Sequence, residues 1–117
     1  MIKVIIAGGR DFNNYELLKT KLDKILSNIS DEIIIVSGKA RGADTLGERY
    51  ARENNYKIAE FPAKWNEFGK RAGYIRNEEM AKYADACVIF WDGQSKGSKH
   101  MYDLALKEGI PTRIVRY

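Results

Sequence analysis

Five short hydrophobic runs alternate along this chain with four segments of helical period, and that alternation constrains the fold more than any other feature. The runs are Ile2 to Ala7, Ile33 to Ser37, Lys57 to Phe61, Ala86 to Trp91 and Thr112 to Val115. Most are apolar at consecutive positions, the pattern of a strand buried on both faces in a parallel sheet. Parallel neighbours need crossovers, and the intervening segments have the spacing to supply them as helices. Tyr15, Leu18, Leu22, Ile25, Leu26 and Ile29 keep one helical face, with Asn13 and Glu16 in capping-box spacing at its start. Ala43, Leu46, Gly47, Tyr50 and Ala51 make a narrow stripe of mostly small residues, suited to a helix lying close to a sheet. Helices over Ala72 to Tyr83 and Ser98 to Lys107 complete the set, the last stopped by Gly109 and Pro111. The expected fold is α/β: a Rossmann-like, doubly wound sheet of five parallel strands in the order 3-2-1-4-5, with helices on both faces in three layers.

A chain of 117 residues has room for one domain, and no linker or repetitive tract divides residues 1–117. No apolar segment approaches the roughly 18 residues that cross a bilayer, and the amino terminus runs straight into a strand. A cytoplasmic protein with no membrane partner is therefore expected. Cys87 is the only cysteine and lies inside ACVIFW, so it builds neither a disulfide framework nor a zinc cluster and is expected as a buried, inert thiol. The 20 Lys and Arg exceed the 16 Asp and Glu to give +4, which admits an anionic ligand without the dense basic stripe of a duplex-DNA binder.

Doubly wound sheets bind ligands beyond the carboxyl ends of their strands, near the point where strand order reverses. The loops that follow the strands therefore carry the functional signal. After the first strand comes GGRDF, with Gly8, Gly9, Arg10 and Asp11; after the second comes SGKARGAD, with Ser37, Gly38, Ala40, Arg41, Gly42 and Asp44. The third is followed by FPAKWNEFGKRAG, with Lys64 and Trp65, and the fourth by WDGQSKGS, with Asp92, Ser95, Gly97 and Ser98. Nine of the 20 cations fall in or beside these loops, Lys39, Lys70, Arg71, Lys96 and Lys99 among them. A phosphate would satisfy the free N–H groups and partial positive charge of a helix start, with glycines admitting it and Arg41 gripping its oxygens. Asp44 has two open readings, a carboxylate that steadies the first helical turn or a contact to ribose hydroxyls. Of the two tryptophans, Trp65 is expected exposed in a polar loop and Trp91 in the core. Neither GxGxxG nor GxxxxGK[ST] is present, so nothing points to a dinucleotide oxidoreductase or a phosphoryl-transfer enzyme. His100, the lone histidine, is expected exposed and idle. No metal-ligand spacing occurs, and no cofactor is required; a Mg²⁺ accompanying a phosphorylated ligand needs only one or two carboxylates, for which Asp11, Asp44 and Asp92 are the candidates.

GGRDF, SGKARGAD, FPAKW, AGYIRNEEM and FWDGQSKGS, in this order and across nearly the whole chain, resemble the YspA-like branch of the SLOG superfamily of Rossmann-like nucleotide-binding proteins. The resemblance implies that the loops after the second and fourth strands face one ligand site, with Arg76 and Asn77 beside it, and that the chain forms a homo-oligomer. It also sets out three activities. Phosphoribohydrolases of the related LOG type carry PGGxGTxxE, whose Glu participates in catalysis, but alignment on Gly97 and Ser98 puts Met101 at that position. The Rossmann-like domain of DNA-processing protein A shares SGxARGxD and an RN pair and binds single-stranded DNA, which makes nucleic acid the runner-up partner. A third branch senses ADP-ribose-like signals. The expected function is binding of a nucleotide-derived small molecule as a sensor or sequestering module, with no residue assigned to catalysis and with N-glycosidic cleavage as the alternative.

Overall fold

In the computed structural model, which describes residues 1–117, the five runs become β1 (Ile2–Gly8), β2 (Ile33–Ser37), β3 (Lys57–Glu60), β4 (Ala86–Trp91) and β5 (Thr112–Arg116). They form one sheet in the order β3-β2-β1-β4-β5 with every neighbouring pair parallel, the Rossmann-like arrangement that the alternation predicts. The connections are α1 (Tyr15–Leu26), α2 (Ala43–Glu53), α3 (Trp65–Phe68), α4 (Ala72–Tyr83) and α5 (Lys96–Lys107). No helix is long and apolar enough to cross a membrane.

Continuous apolar strands make sense here because successive side chains point to opposite faces and both faces are covered. Val4, Ile6, Ile35, Val88 and Phe90 join a core of 14 buried residues beneath α1 and α2. Ile5, Ala7, Val36, Cys87 and Ile89 join a second core of 10 beneath α4 and α5. Each fully buried Val, Leu, Ile or Phe side chain contributes about 1.5 to 3 kcal/mol, so these two layers carry most of the stability. Cys87 lies in the second layer, and burial pushes its thiol up to about 12.

Three local expectations are corrected. The cap of α1 is Asn14, whose side chain accepts from the Leu17 amide at 3.1 Å, and not the Asn13–Glu16 box. The helix also stops at Leu26, where the Ile29 amide turns back to the Leu26 carbonyl at 3.1 Å. In the stretch after β3, read from sequence as loop, the chain folds into α3 and a single 3-10 turn, Gly69–Arg71.

The carboxyl end of β1 is held on two sides. Gly9 donates to the Phe90 carbonyl at 3.0 Å, and the Gly9 carbonyl accepts from Ala43 at the start of α2 at 3.2 Å. At Gly47 a Cβ would lie 2.8 Å from Ile6 Cβ, so α2 rests almost directly on β1. Gly42, which caps α2 at φ 79°, has no room either: a Cβ there would overlap the Gly9 carbonyl. Gly109 shares the left-handed backbone at φ 72° but has nothing within 4 Å. Gly42→Ala should therefore cost roughly 2 to 4 kcal/mol in urea denaturation, against about 1 to 2 kcal/mol for Gly109→Ala, which meets backbone strain alone. Equal losses would mean that the contact with Gly9 is not what demands a glycine.

Candidate functional site

The loops after β1, β2, β3 and β4 enclose two adjoining clefts at the carboxyl edge of the sheet, one of about 490 Å³ and one of about 330 Å³. The larger lies where strand order reverses between β1 and β4. From the β1 loop it takes in Gly8, Gly9, Arg10 and Asp11; from the β2 loop and α2, Ala40 and Asp44. Trp65 comes from α3, Arg76 and Asn77 from α4, Asp92 and Ser95 from the loop after β4, and Gly97 and Ser98 from the first turn of α5. Gly38 and Arg41 open onto the smaller cleft, together with Lys39, Pro62 and Ala63. Arg10, Ala40, Trp65 and Arg76 border both and form the ridge between them.

Ser37, Gly42 and Lys64 line neither cleft. Ser37 is the last residue of β2, 1% exposed, and its hydroxyl donates to Glu48 on α2 at 2.6 Å. Gly42 is filled by contact with the β1 loop, and Lys64 is the exposed residue before α3. The larger cleft also contains Lys70, one of the cations counted at this edge from sequence, and residues that sequence reading missed: Gly73, Tyr74, and a floor that includes Met80 and Met101. Gly73 and Tyr74 precede the RN pair with Ile75 between, and a helical projection of AGYIRNEEM places Gly73, Asn77 and Met80 on neighbouring rows.

Arg76 does not reach freely into the cleft. It is 9% exposed, its Nη1 donates to the Gly38 carbonyl, and its Nε donates to Asn77 Oδ1 at 2.9 Å. Burial holds its pKa below the ordinary guanidinium value; Asp44 opposes that shift and the like charge of Arg10 adds to it. Asp44, 6% exposed, accepts from the Ala40 amide at 3.3 Å. Burial pushes its carboxyl up to about 6, against the Ala40 amide and the Arg76 charge. The two groups flank Gly38, where a Cβ would lie 2.8 Å from both Arg76 Nη1 and Asp44 Oδ2. Arg41, by contrast, is exposed on the far side of the ridge.

The loop after β2 is braced from within. Lys39 takes a left-handed φ of 62°, donates its amide to Ser37 Oγ at 3.1 Å, and pairs through Nζ with Glu48 at 3.0 Å and Glu60 at 3.1 Å. At the other wall Ser95 caps α5, accepting from the Ser98 amide at 3.3 Å, while Asp92 Oδ1 accepts from Gln94 at 2.8 Å and Ser95 at 2.9 Å. Those amides hold the Asp92 carboxyl below the usual range. Asp11 accepts from the Tyr117 hydroxyl at 2.7 Å. Gly97 faces open space, with nothing within 4 Å of where its Cβ would stand.

Trp65 and Tyr74 are each 50% exposed, whereas Trp91 donates its indole N–H to the Ser95 carbonyl at 3.0 Å. His100 is half-buried, where an exposed position is expected. It stands 3.3 Å from Asn77 Nδ2 and meets the Tyr74 ring edge-on at 4.6 Å, and burial lowers its pKa. Glu78 pairs with Lys82 at 3.1 Å on an exposed face of α4.

The sequence profile of the YspA, cpYpsA-related SLOG family matches residues 2–68, more than half of the chain. The chain belongs to that family. The matched span of this SLOG chain holds β1 through α3 and so supplies three of the four loops around the clefts. Over nearly its full length it is similar to the gene 61 protein of Mycobacterium phage D29, with 34% identity covering 95% of this chain and 94% of that protein. Its fold is also that of DNA processing protein A from Streptococcus pneumoniae, at a TM-score of 0.78 and 20% identity. All of this SLOG chain is covered in that superposition, but only 51% of the larger protein.

A folded-state pKa of about 6 for Asp44, against 3.8 for an unperturbed Asp, fixes the sign of its pH linkage. The folded protein binds the proton more tightly than the unfolded chain does, so this group's contribution weakens as pH rises through the window between those two values. Relative to Asp44→Asn, the wild type should gain roughly 2 kcal/mol on going from about pH 7 to about pH 4.5, read from urea midpoints. Parallel stability curves for the two proteins would refute a raised Asp44 pKa.

Proposed function

We propose that this SLOG-family chain binds a nucleotide or nucleotide-derived phosphate, with an ADP-ribose-like signal among the candidates, and acts as a cytoplasmic sensor or sequestering module. The observation that carries the reading is the content of the larger cleft: cations, exposed aromatic faces and an open helix start share one volume of about 490 Å³. That size lies inside the range of small-molecule sites, about 300 to 1,000 Å³. Neither Arg10 nor Lys70 forms an ion pair within the protein, which leaves both for anionic oxygens. Trp65 and Tyr74 offer π-faces for a base, and the open space at Gly97 lets a phosphate approach the first turn of α5. Asp11 and Asp92 each keep one carboxylate oxygen outside the bonds described above, suited to ribose hydroxyls. No three His, Cys, Asp or Glu side chains come together as a metal cage, so a Mg²⁺ arriving with the ligand would rest mainly on phosphate oxygens and one of these two carboxylates.

Binding without turnover is favoured over N-glycosidic cleavage by Met101, an apolar residue that lines the cleft at the position where the related hydrolases place a glutamate. Glu78, the carboxylate that follows the RN pair, lines neither cleft and pairs with Lys82 on an exposed face of α4. Nucleic acid is the second reading, supported by the shared fold with a DNA-processing protein. Two short clefts fit it less well than the continuous cationic groove that tracks a single strand. Exposed Phe68 and Leu106 are consistent with self-association into a homo-oligomer.

Differential scanning fluorimetry against nucleoside mono- and diphosphates and ADP-ribose tests the reading, because a ligand selective for the folded state raises its melting temperature. Trp65→Ala should weaken the active compound by about 1 to 3 kcal/mol through lost stacking. Gly97→Ala should keep or raise the melting temperature of the free protein, gaining up to about 1 kcal/mol of helix propensity, while binding falls. Release of free base from a nucleoside monophosphate would replace this reading by hydrolysis, and no shift with any compound would remove it.

A further inference from the structure

His100 lines neither cleft, but it stands behind a residue that does. A relay of polar contacts leads from it to the ridge. Asn77 Nδ2 lies 3.3 Å from His100 Nδ1, Asn77 Oδ1 accepts from Arg76 Nε at 2.9 Å, and Arg76 Nη1 donates to the Gly38 carbonyl. The order of donors and acceptors along it has one solution. A guanidinium only donates, so Asn77 must turn its oxygen to Arg76 and its NH2 to His100. His100 Nδ1 must then accept, which makes the ring neutral with its proton on Nε2. The Tyr74 ring packs edge-on against that imidazole from α4.

A second proton changes the order. On Nδ1 it would set a donor against the Asn77 NH2, and the contact would survive only if Asn77 turned its oxygen to the ring. That turn takes the oxygen from Arg76 and puts NH2 against its Nε, donor against donor. A buried guanidinium donor left without a partner is costly, and the open side is the larger cleft, which Arg76 and Asn77 both line. The new positive charge attracts an anion as well, so both effects have the same sign. Glu78 on α4 and Asp103 on α5 face the ring and oppose its burial, the larger influence, which holds its pKa below the ordinary value. Each carboxylate is itself paired, with Lys82 and Lys99. Behind Asn77 stand Arg76 and then Asp44, across Gly38; beneath α5, β1 and β4 present Ile5, Ala7, Ile89 and the neutral thiol of Cys87.

We propose that His100 is a positioning residue for Arg76, acting through Asn77: a proton on its Nδ1 turns the Asn77 amide and frees the Arg76 Nε hydrogen for an anion in the larger cleft. The site therefore grips anions more tightly as His100 becomes charged, and a bound anion in turn favours the charged ring. This rests on the anion-binding reading of that cleft given above and adds its regulation by pH.

NMR on the full chain tests it, and because His100 is the only histidine its imidazole signals are unambiguous. In the free protein at about pH 8 the ring nitrogens should show a protonated Nε2 and a bare Nδ1; the other tautomer would overturn the relay. On acidification the Arg76 Nε–H signal should move with the His100 midpoint in the wild type, and should not in His100→Gln, whose side-chain oxygen accepts from Asn77 at every pH. A signal that ignores the midpoint in the wild type would also overturn it. Sulfate and ADP-ribose, whose charges are constant over this range, serve as the anions. For whichever binds, Kd should fall at least about fivefold from about pH 8 to about pH 5.5, and saturation should raise the His100 midpoint by at least about 0.7 pH units. His100→Gln should hold the wild-type affinity of about pH 8 throughout, within about twofold. Asp44 titrates in the same window, so Asp44→Asn is the control and should keep the rise in affinity. A rise lost in Asp44→Asn and kept in His100→Gln would overturn the proposal in favour of Asp44. Melting curves confirm that both variants fold, and the wild-type midpoint shift decides alone if either does not. Affinity that stays constant across the range would overturn the regulation while leaving the larger cleft's function intact. Failure of both anions at every pH would remove both readings.

Discussion

Arg76 rises from the second turn of α4 and gives its Nη1 hydrogen to the Gly38 carbonyl, so a charge only 9% exposed ties the loop after β2 to the helix that follows β3. Burying a guanidinium is costly unless its donors find partners, and here Gly38 and Asn77 supply them. Asp44 is buried on the other side of Gly38 and does not close an ion pair with Arg76. Its attraction therefore offsets only part of what desolvation costs the two groups, which is why burial drives the carboxyl up and the guanidinium down. The ridge between the clefts is the outcome. Removing either group would leave the other buried with less compensation, so the site's shape and part of the fold's stability rest on the same pair.

The glycines of the edge follow from the same crowding. A missing Cβ permits close approach by any atom, whether it belongs to a ligand or to the chain. At Gly8 the space is taken by the Phe90 carbonyl and Ala43, at Gly9 by the Tyr117 hydroxyl, at Gly42 by the Gly9 carbonyl, and at Gly93 by Arg116. The loops after β1, β2 and β4 pack closely on one another and on the carboxyl end of the chain because these four glycines let them. Gly97 alone around the larger cleft has open space in front of it, so the property read in sequence as phosphate access belongs mostly to loop packing.

Strand positions were legible because a parallel sheet covered on both faces leaves an unbroken apolar run, and the ends of β2 and β4 coincide with those runs. The carboxyl edge was legible from topology, since order 3-2-1-4-5 dictates where connections converge. What a given side chain does at that edge was not. Ser37 could have been read correctly: it has the parity of Ile33 and Ile35, which face α2, so it too turns inward and meets Glu48. The contact of Asn77 with His100 had no such signal, because it depends on how α4 and α5 lie against each other. Nor did α3, a four-residue helix whose placement of Trp65 over Gly73 is settled by tertiary contact and not by periodicity.

Net charge proved less informative than which charges are satisfied. Lys39 and Lys99 spend theirs on Glu48, Glu60 and Asp103, while Arg10, Arg41 and Lys70 have no ion pair. Exposed charges interact over about 8 to 10 Å in physiological salt, so cations gathered around adjoining clefts act on a ligand together, where the same number scattered over the surface would be screened apart. Low-dielectric walls strengthen their field further. Until an anion arrives, mutual repulsion along the ridge makes the folded state less favourable than its packing alone would make it. An anion that bridges the ridge removes that repulsion as well as adding its own contacts, and both gains go to the folded state. Within the proposed site, discrimination between ligands should accordingly follow the placement of negative charge along the molecule more closely than the identity of the base, to which Trp65 and Tyr74 offer aromatic faces that stack on any base.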